Sequence, residues 1–331
     1  MDGELPTQGG ATTAWPSLPV EEWAATRDTL LLWTQVIGKV RLAHSPLLNH
    51  WWNVPLYVTA RGLTTSLMWT ADERGFQIDL DFLAHRLDLT TSDGAHREIA
   101  LEPRSVAHFY TELMSRLDEL GVHRKIWTMP VEIASAIRFE DDHDHATYDR
   151  NQVERFWQIL IRTSQVFNEF RTTFVGKASP VHLFWGALDL ATTRFSGRGA
   201  PPHPGGAPNC GPHVMHEAYS QEVSSAGYWP GGAKEGVFYS YAYPEPVGYR
   251  DVVVTPKEAY FDAALSEFIL PYDVVRTAED PRAVLLRFLQ STYEAAANRG
   301  GWDRNALERE PPTWTRDRVA LPGPFVNGER G

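Results

Sequence analysis

The stretch TQVIGKVRLAHSPLLNHWWNVPLYVTARG, residues 34–62, resembles a later stretch, SQVFNEFRTTFVGKASPVHLFWGALDLATTRFSG, residues 164–197. Each runs from a helical pattern through a Ser-Pro pair into an apolar strand pattern with aromatic residues. The shared positions are Gln35-Val36 with Gln165-Val166, Ser45-Pro46 with Ser179-Pro180, Trp52 with Trp185, and Arg61 with Arg194. We interpret the two stretches as copies of one unit. The alternative is a chance likeness between two helix-then-strand segments.

Two copies of such a unit predict an α+β fold with two similar halves, a pseudo-duplication in which each half is an antiparallel sheet packed with long helices. The boundaries follow shifts in composition toward Pro, Gly and charge. The predicted segments are a flexible N-terminal tail (1–15), a first α+β half (16–139), an acidic linker (140–150), a second α+β half (151–310) with a Pro/Gly-rich loop (196–236), and a C-terminal tail (311–331).

Hydrophobic periodicity predicts long helices and short strands within these halves. The predicted helices are Val20–Ala43, Ser105–Leu120, Asn151–Thr172 and Pro281–Asn298. The predicted strands are Val54–Arg61, Phe76–Phe82, Arg86–Thr91, Arg97–Leu101, Arg124–Ile133, His182–Arg194, Val237–Tyr243 and Asp251–Thr255.

The composition describes an ordinary water-soluble chain of 331 residues, 43% hydrophobic and 22% charged. No apolar run approaches the roughly 20 residues that a membrane helix needs, so we expect no membrane partner. The net charge of −11 opposes binding to phosphate backbones, so we expect no nucleic-acid partner. Cys210 is the single cysteine, and the N-terminus lacks a basic flank followed by an apolar stretch. We therefore expect a cytoplasmic protein.

The negative charge is unevenly distributed. Residues 29–71 contain no acid, and residues 170–216 contain only Asp189, whereas both stretches carry several Arg and Lys. Because a low-dielectric wall concentrates the field of converging cations, we expect a pocket between the halves that binds a small anionic molecule. Arg61 and Arg194 are suited to grip it, since a guanidinium fork donates two parallel hydrogen bonds. The alternative is that these cations pair with carboxylates on the helices.

Strand alternation separates a core face from a second, more polar face. In the predicted strand of the first repeat, the second face carries an aromatic residue, a hydroxyl residue and an arginine. The second face of the predicted strand His182–Arg194 carries the same three kinds of residue. A strand face with aromatic and polar side chains is typical of the wall of a small-molecule pocket. The alternative is that this face packs under a helix. The predicted ligand-binding residues are Trp51, Asn53, Tyr57, Arg61, Phe184 and Arg194.

Two residues are candidates for proton transfer. His182 shares its predicted face with Arg194, and a nearby cation or burial would move its pKa. A core histidine bonded to a backbone carbonyl is the alternative. Glu222 is the second candidate. Asp189, on an otherwise apolar face, is expected to orient an arginine or cap a turn, with catalysis as the less favoured role.

No metal site is predicted, because the histidines lack a specific spacing. His143 and His145 lie in the acidic linker, and the HEAYS sequence at His216 and Glu217 lacks the second histidine of HExxH. Neither pair excludes a metal, and the cofactor is left open. Phosphate-binding and nucleophile-elbow motifs are also absent from the sequence, and Cys210 is expected to be an unreactive loop thiol.

Several segments resemble a bacterial family of soluble proteins of about 300 residues known as a domain of unknown function. They are LNHWWNVPLYVTARGLTTS (48–66), SPVHLFWGALDLATTRFSGR (179–198), EAYSQEVSSAGYWPG (217–231), ILPYDVVRTAEDP (269–281) and FLQSTYEAAA (288–297). The resemblance runs from about Trp15 to Glu308 and implies a cytoplasmic bacterial protein. It supplies no catalytic residues, and the tract Pro201–Val214 differs from the family pattern.

These observations favour an enzyme of unknown reaction that acts on an anionic, possibly aromatic ligand between the halves. A non-catalytic ligand-binding or sensor protein would use the same pocket without an acid–base residue near the ligand. A protein-interaction module is the third hypothesis, and it requires exposed Trp51 and Trp229. The reaction, the substrate and the oligomeric state are left open by the sequence.

Overall fold

Two six-stranded antiparallel sheets and the helices around them make up an α+β fold. The computed structural model describes residues 15–309. The predicted tails, 1–15 and 311–331, lie outside these residues except for Trp15, which is buried against Phe238 and Tyr272. No helix in the described range is long and apolar enough to cross a membrane.

Long helices separate groups of strands along the described part of the chain. The helices are α1 (Val20–His44), α2 (Val106–Glu119), α3 (Arg150–Arg171), α4 (Pro212–Ala218), α5 (Tyr272–Arg276), α6 (Pro281–Arg299) and α7 (Arg304–Leu307). The strands are β1 (Tyr57–Val58), β2 (Gly62–Thr64), β3 (Met68–Trp69), β4 (Gly75–Asp81), β5 (Arg86–Thr91), β6 (His96–Ala100), β7 (His182–Phe184), β8 (Asp189–Gly199), β9 (Gln221–Trp229), β10 (Val237–Tyr243), β11 (Tyr260–Asp262) and β12 (Glu267–Pro271).

Helix α1 is the central helix, because it contacts α2, α3 and β3. Most of its side chains are buried, including polar ones, so it lacks the wide polar face of a surface helix. Trp33 is fully buried and stacks on Phe109 of α2 at 4.6 Å and on Tyr148 of the predicted linker at 5.4 Å between ring centroids. This indole therefore packs the N-terminal half of the chain against the linker, and hydrogen bonds from Thr147 to Thr29 and from Asp149 to Thr26 join the same segments.

The two sheets meet edge to edge at one point. Sheet 1 has the order β1-β2-β4-β5-β6 with β3 paired to β4, and sheet 2 has the order β11-β12-β10-β9-β8-β7. Leu56, just before β1, and Leu183 in β7 exchange two backbone hydrogen bonds of 2.9 Å. Helices α3 and α6 pack on one face of sheet 2, which leaves its other face for the site described below.

Three predicted loop or strand assignments are wrong. The range 196–236 is not a continuous loop, because it contains α4 and the inner strand β9. Strand β9 is buried on both faces and built mainly from small residues, so it lacks the alternation that predicts a strand. The ranges 124–133 and 251–255 form no strand. In the first of these, the Gln35 side chain, rather than a neighbouring strand, bonds the backbone of Val131.

The predicted strand His182–Arg194 is also wrong, because a turn divides it into β7 and β8. Leu188 in that turn has a φ of 59°. Across the hairpin, Phe184 is the partner of Asp189, and His182 is the partner of Ala191. Partners in an antiparallel pair point to the same face, so His182 and Asp189 share a face, and Arg194 points to the opposite one.

The two halves are alike in outline. Each begins with a long helix, continues into an antiparallel sheet of six strands and carries a further long helix, α2 or α6. The strand order differs between the sheets, since β3 branches from β4 in sheet 1 and sheet 2 forms a single path. The duplication of one unit therefore stays a prediction.

Candidate functional site

A cavity of about 630 Å³ lies on the face of sheet 2 that is free of α3 and α6. This volume is in the range that holds a small organic ligand. Its floor is formed by side chains of β8, β9 and β10. These are Asp189, Ala191, Thr193, Phe195, Val223, Ser225, Tyr239 and Tyr241.

Four chain segments cover this floor. They are the C-terminal part of α1, residues 50–54, residues 125–132 and residues 207–219. Four tryptophans line the cavity within or beside these segments, which makes its wall largely aromatic: Trp51, Trp52, Trp127 and Trp185. Aromatic walls with few polar groups are the usual makeup of a small-molecule pocket.

Hydrogen bonds between the segments hold the cover in place. The buried Gln35 amide donates to the carbonyl oxygens of Val131 at 2.9 Å and Gly186 at 3.2 Å. The Trp51 indole N–H donates to the carbonyl of Val214 at 2.8 Å, and the Trp185 indole donates to that of Val54 at 2.9 Å. These bonds leave little freedom to the indoles that form the wall, so the cavity is preformed.

Two carboxyl groups face the cavity with pKa values raised toward neutrality. Burial raises the pKa of Asp189 to about 6, although the Tyr239 hydroxyl, which donates a short hydrogen bond to Asp189, opposes this shift. Burial, and to a smaller extent the charge of Asp189, raises the pKa of Glu132 to about 7. Glu267 on β12 is not part of the cavity lining, but burial, together with the charge of Asp189, also raises its pKa to about 7. Neighbouring acids of this kind can hold and release a proton at neutral pH.

His182 lies on the cavity wall with 1% of its surface exposed. Burial lowers its pKa to about 3, so its imidazole is neutral at neutral pH, and the charges of Arg41 and Arg171 act in the same direction. Neither ring nitrogen has a hydrogen-bond partner within residues 15–309. A neutral imidazole offers one donor and one acceptor, and leaving both unpaired in a buried place is costly. Both His182 nitrogens are thus unpaired and covered by the rings of Trp52, Tyr57 and Phe184.

His50 occupies another part of the wall and, unlike His182, is fully paired. Its Nδ1 lies 3.0 Å from the carbonyl oxygen of Ala218, and its Nε2 lies 2.6 Å from Nζ of Lys177. Because ammonium hydrogens can only be donated, Nε2 accepts from Lys177, and Nδ1 carries the proton. Burial lowers the pKa of His50, so the ring stays neutral and fixes residues 50–52 against α4.

Three of the residues predicted from sequence line the cavity: Trp51, His182 and Phe184. Tyr57 lies beside them, with its ring 5.5 Å from that of His182, but it is not part of the lining. Asn53 is buried in the turn before β1, where its backbone carbonyl accepts from Arg41 Nε at 2.8 Å and its side chain accepts from a backbone N–H. Asn53 therefore shapes the wall without forming it.

The two predicted anion-binding arginines lie elsewhere. The Arg61 side chain is exposed, and its Nε donates to Asp81 Oδ2 at 2.6 Å. Arg194 is 1% exposed, lies 3.5 Å above the ring of Phe170 and donates to Thr173 Oγ1 at 3.1 Å. Arg194 thus packs under the helices because of the hairpin turn, and the sequence placed it on the wrong face.

Glu222 is also separate from the main cavity. It pairs with Arg198 at 2.6 Å and lines a smaller cavity of about 250 Å³ beside the C-terminal end of α6. A partly exposed ion pair of this kind is a weak interaction. The structure therefore does not bring Glu222 and His182 together.

The sequence missed most of the polar groups that do meet at the cavity. Asp189 carried a signal, since it is the single acid in 170–216, and Lys39 belongs to the acid-free stretch 29–71. Glu132 carried no sequence signal of a role at the cavity, because it lies in the segment 124–133, which was predicted to be an ordinary strand. Tyr239 was part of a correctly predicted strand, but only the sheet order shows which of its faces is covered.

Two of the residues considered as metal ligands, Glu217 and His145, have protein partners. Glu217 Oε1 accepts from the backbone N–H of His50 at 2.8 Å, and His145 Nδ1 bonds Asp142 Oδ2 at 2.8 Å. Within the described range, one group of three potential ligands lies close together, on β5 and β6: Asp88, His96 and Glu98. Its members are partly or fully exposed, and the group lies on sheet 1, away from the cavity.

A comparison with known protein families identifies the chain. One family profile matches residues 15–309, the same range that the structure describes. The chain belongs to the family of unknown function DUF5996. No curated protein and no solved structure matches the chain. Because the matched range includes both sheets, every residue of the cavity described above belongs to the DUF5996 domain.

The raised pKa of Asp189 predicts how stability depends on pH in this DUF5996 domain. Its folded-state pKa of about 6 lies above the ordinary value of 3.8, so the folded protein retains a proton that the unfolded chain releases. This contribution to stability is present below pH 4 and is lost as the pH rises through 6. We therefore expect Asp189→Asn to gain in melting temperature relative to the wild type between pH 4 and pH 7.

Thermal unfolding of both proteins across this pH range measures the difference. Asp251→Asn, which removes an exposed carboxyl outside the cavity, is the control and is expected to track the wild type. A constant difference between Asp189→Asn and the wild type at every pH would show that the carboxyl of Asp189 ionises normally.

Proposed function

We propose that this protein is an enzyme that performs acid–base chemistry on a small, largely apolar molecule bound between sheet 2 and helix α1. The observation that carries this proposal is that Asp189 and Glu132 line the same cavity, Asp189 on its floor and Glu132 on an accessible part of its wall. Their pKa values of about 6 and 7 bracket the range in which a carboxyl group can both take and give a proton. The cavity lies between the two halves, which we regard as copies of one α+β unit.

The lining favours a ligand with a flat, apolar body. Indole and phenyl rings make up much of the wall, and the side chains of Phe184 and Phe195 extend it onto sheet 2. Such surfaces bury an aromatic or unsaturated ring system with favourable stacking. A ligand that displaced the rings covering His182 would gain a hydrogen bond from this neutral, unpaired imidazole to its carbonyl, hydroxyl or amide group.

The charged side chains of the cavity lining favour a different ligand charge from the anionic one that the sequence suggested. With Arg61 and Arg194 facing elsewhere, the lysines of the lining are Lys39 and Lys125, and the acids are Asp189 and Glu132. The lining thus holds two basic and two acidic side chains, so it does not form the strongly positive pocket that attracts an anion. We therefore propose a ligand that is close to neutral overall.

An untargeted turnover assay tests this proposal. The purified protein is incubated with a mixture of small neutral and weakly polar aromatic metabolites, and the compounds consumed and formed are measured by mass spectrometry. We expect at least one compound to be converted by the wild type and by Asp251→Asn, and retained unchanged by Asp189→Asn. A compound that is bound but never converted would contradict the enzyme and support a ligand-binding protein. No binding and no conversion would contradict both.

A further inference from the structure

Lys39 is a buried lysine that reaches the same cavity from helix α1. It is 5% exposed, and it lies one helical turn after Gln35. Its Nζ donates to the carbonyl oxygen of Met129 at 2.7 Å and lies 4.5 Å from the centre of the Trp127 ring. Trp127 is exposed, so the amine is close to the entrance of the cavity.

This amine has no carboxylate partner. Within residues 15–309, no Asp or Glu oxygen lies within 4.0 Å of Lys39 Nζ, and Met129 supplies its single hydrogen bond to the protein. An ammonium in a largely apolar place without a counter-ion is costly. Burial therefore lowers the pKa of Lys39 to about 8, which leaves part of the population as the free amine at neutral pH.

The neighbouring thiol does not compete with this amine. Cys210 lines the same cavity, and burial raises the pKa of its thiol, an effect that the charge of Glu132 strengthens. Because the thiolate is the nucleophilic form of cysteine, Cys210 stays largely unreactive. A desolvated lysine, in contrast, is the usual source of an imine-forming amine in proteins.

We propose that Lys39 is the nucleophile of the cavity and forms an imine with the carbonyl group of a small aldehyde or ketone. This inference rests on the proposed function and specifies its substrate class. A structural role, in which Lys39 only tethers residues 125–132 to α1 through Met129, is the alternative that the experiment below decides.

The reaction balances without a redox partner. The lone pair of Nζ adds to the carbonyl carbon, the π electrons of the carbonyl move to its oxygen, and a proton passes from nitrogen to that oxygen. The hydroxyl then takes a second proton and leaves as water while the C=N bond forms. Glu132, on the same wall, is placed to supply this proton, and Asp189 to remove one from the carbon next to the imine.

Reductive trapping with a neutral probe tests Lys39 directly. Benzaldehyde and cyanoborohydride are added to the full-length protein at neutral pH, and each benzylated lysine is quantified by peptide mass spectrometry. The chain has five lysines, and Lys257, at the surface, is the internal reference. We expect Lys39 to be labelled at least about 10-fold faster than Lys257, because far more of its amine is unprotonated.

The matched variants are Lys39→Arg, which keeps a donor for Met129, and Lys39→Met. Both are expected to lose this label while the other lysines react as in the wild type. Labelling of Lys39 no faster than that of Lys257 in the wild type would overturn the inference without depending on any variant. Unfolding in urea should remove the difference between the two lysines.

The outcome separates this inference from the proposed function. Asp189→Asn is expected to retain the label on Lys39 and to lose turnover. Conversion of a metabolite by Lys39→Met at the wild-type rate would overturn the imine and leave the acid–base proposal standing. Labelled Lys39 in a protein that converts nothing would support the reactive amine and count against turnover.

Discussion

Asp189→Asn is expected to lower the rate of substrate conversion by at least about 100-fold, the usual contribution of a general acid or base. Asparagine has the size of aspartate and can accept the hydrogen bond from Tyr239, but it cannot take up a proton. The cavity should keep its shape, so the substitution should change kcat far more than KM. Steady-state kinetics on the compound found in the turnover assay measure both constants.

Tyr239→Phe tests the role of the Asp189 carboxyl independently, through the pH dependence of the rate. The Tyr239 hydroxyl stabilises the ionised form of Asp189, so its removal should raise the pKa of Asp189 further. If ionised Asp189 acts as the base, the acid limb of the pH–rate profile should therefore move to higher pH. Asp251→Asn should leave the rate and the profile unchanged. An undiminished rate in Asp189→Asn would remove this residue from the mechanism.

Gly38→Ala is expected to lower the free energy of unfolding by about 2 kcal/mol, although alanine normally favours a helix over glycine. A Cβ at Gly38 would lie 2.2 Å from Nε1 of Trp185, in the middle of the indole edge. That ring cannot move without loss, because its N–H bonds the carbonyl of Val54 and the ring is part of the cavity wall. The overpacking therefore outweighs the gain in helix propensity.

Thermal unfolding measures this effect, which corresponds to a fall in melting temperature of about 3 °C. Gly199→Ala is the matched control, because a Cβ there meets nothing within 4 Å. It should leave the melting temperature within about 1 °C of the wild type. A stable Gly38→Ala protein would show that Trp185 shifts freely. In that case the inference that the wall of the cavity is preformed would be contradicted.

The four long helices α1, α2, α3 and α6 were predictable because each carries its own pattern. The range predicted from the spacing of Trp23, Leu30 and Trp33 differs from α1 by one residue at its end, and the prediction for α6 also differs by one residue. Strand β10 is confirmed over the whole of Val237–Tyr243. Strand β9 could not be predicted from alternation, because both of its faces are buried and its small residues carry no period.

The site was harder to predict than the fold. Trp51 reaches the cavity from a 3-10 turn at 49–51, and His182 and Phe184 reach it from alternate positions of the short strand β7. Arg194 does not, because the turn before β8 changes which alternate residues face the cavity. Side chains alternate between the two faces of a strand with a period of two residues. A turn that shifts this alternation by one residue therefore moves every following side chain to the opposite face.

The sequence by itself determined the α+β class, the long helices and the family. All of these depend on patterns within short segments, where neighbouring residues decide the local structure. Only the tertiary structure decided that Glu132, Asp189 and Lys39 share one cavity, because they come from separate segments and meet through the packing of α1 over sheet 2. Their altered pKa values have the same origin, since burial is a property of the assembled fold and of no single segment.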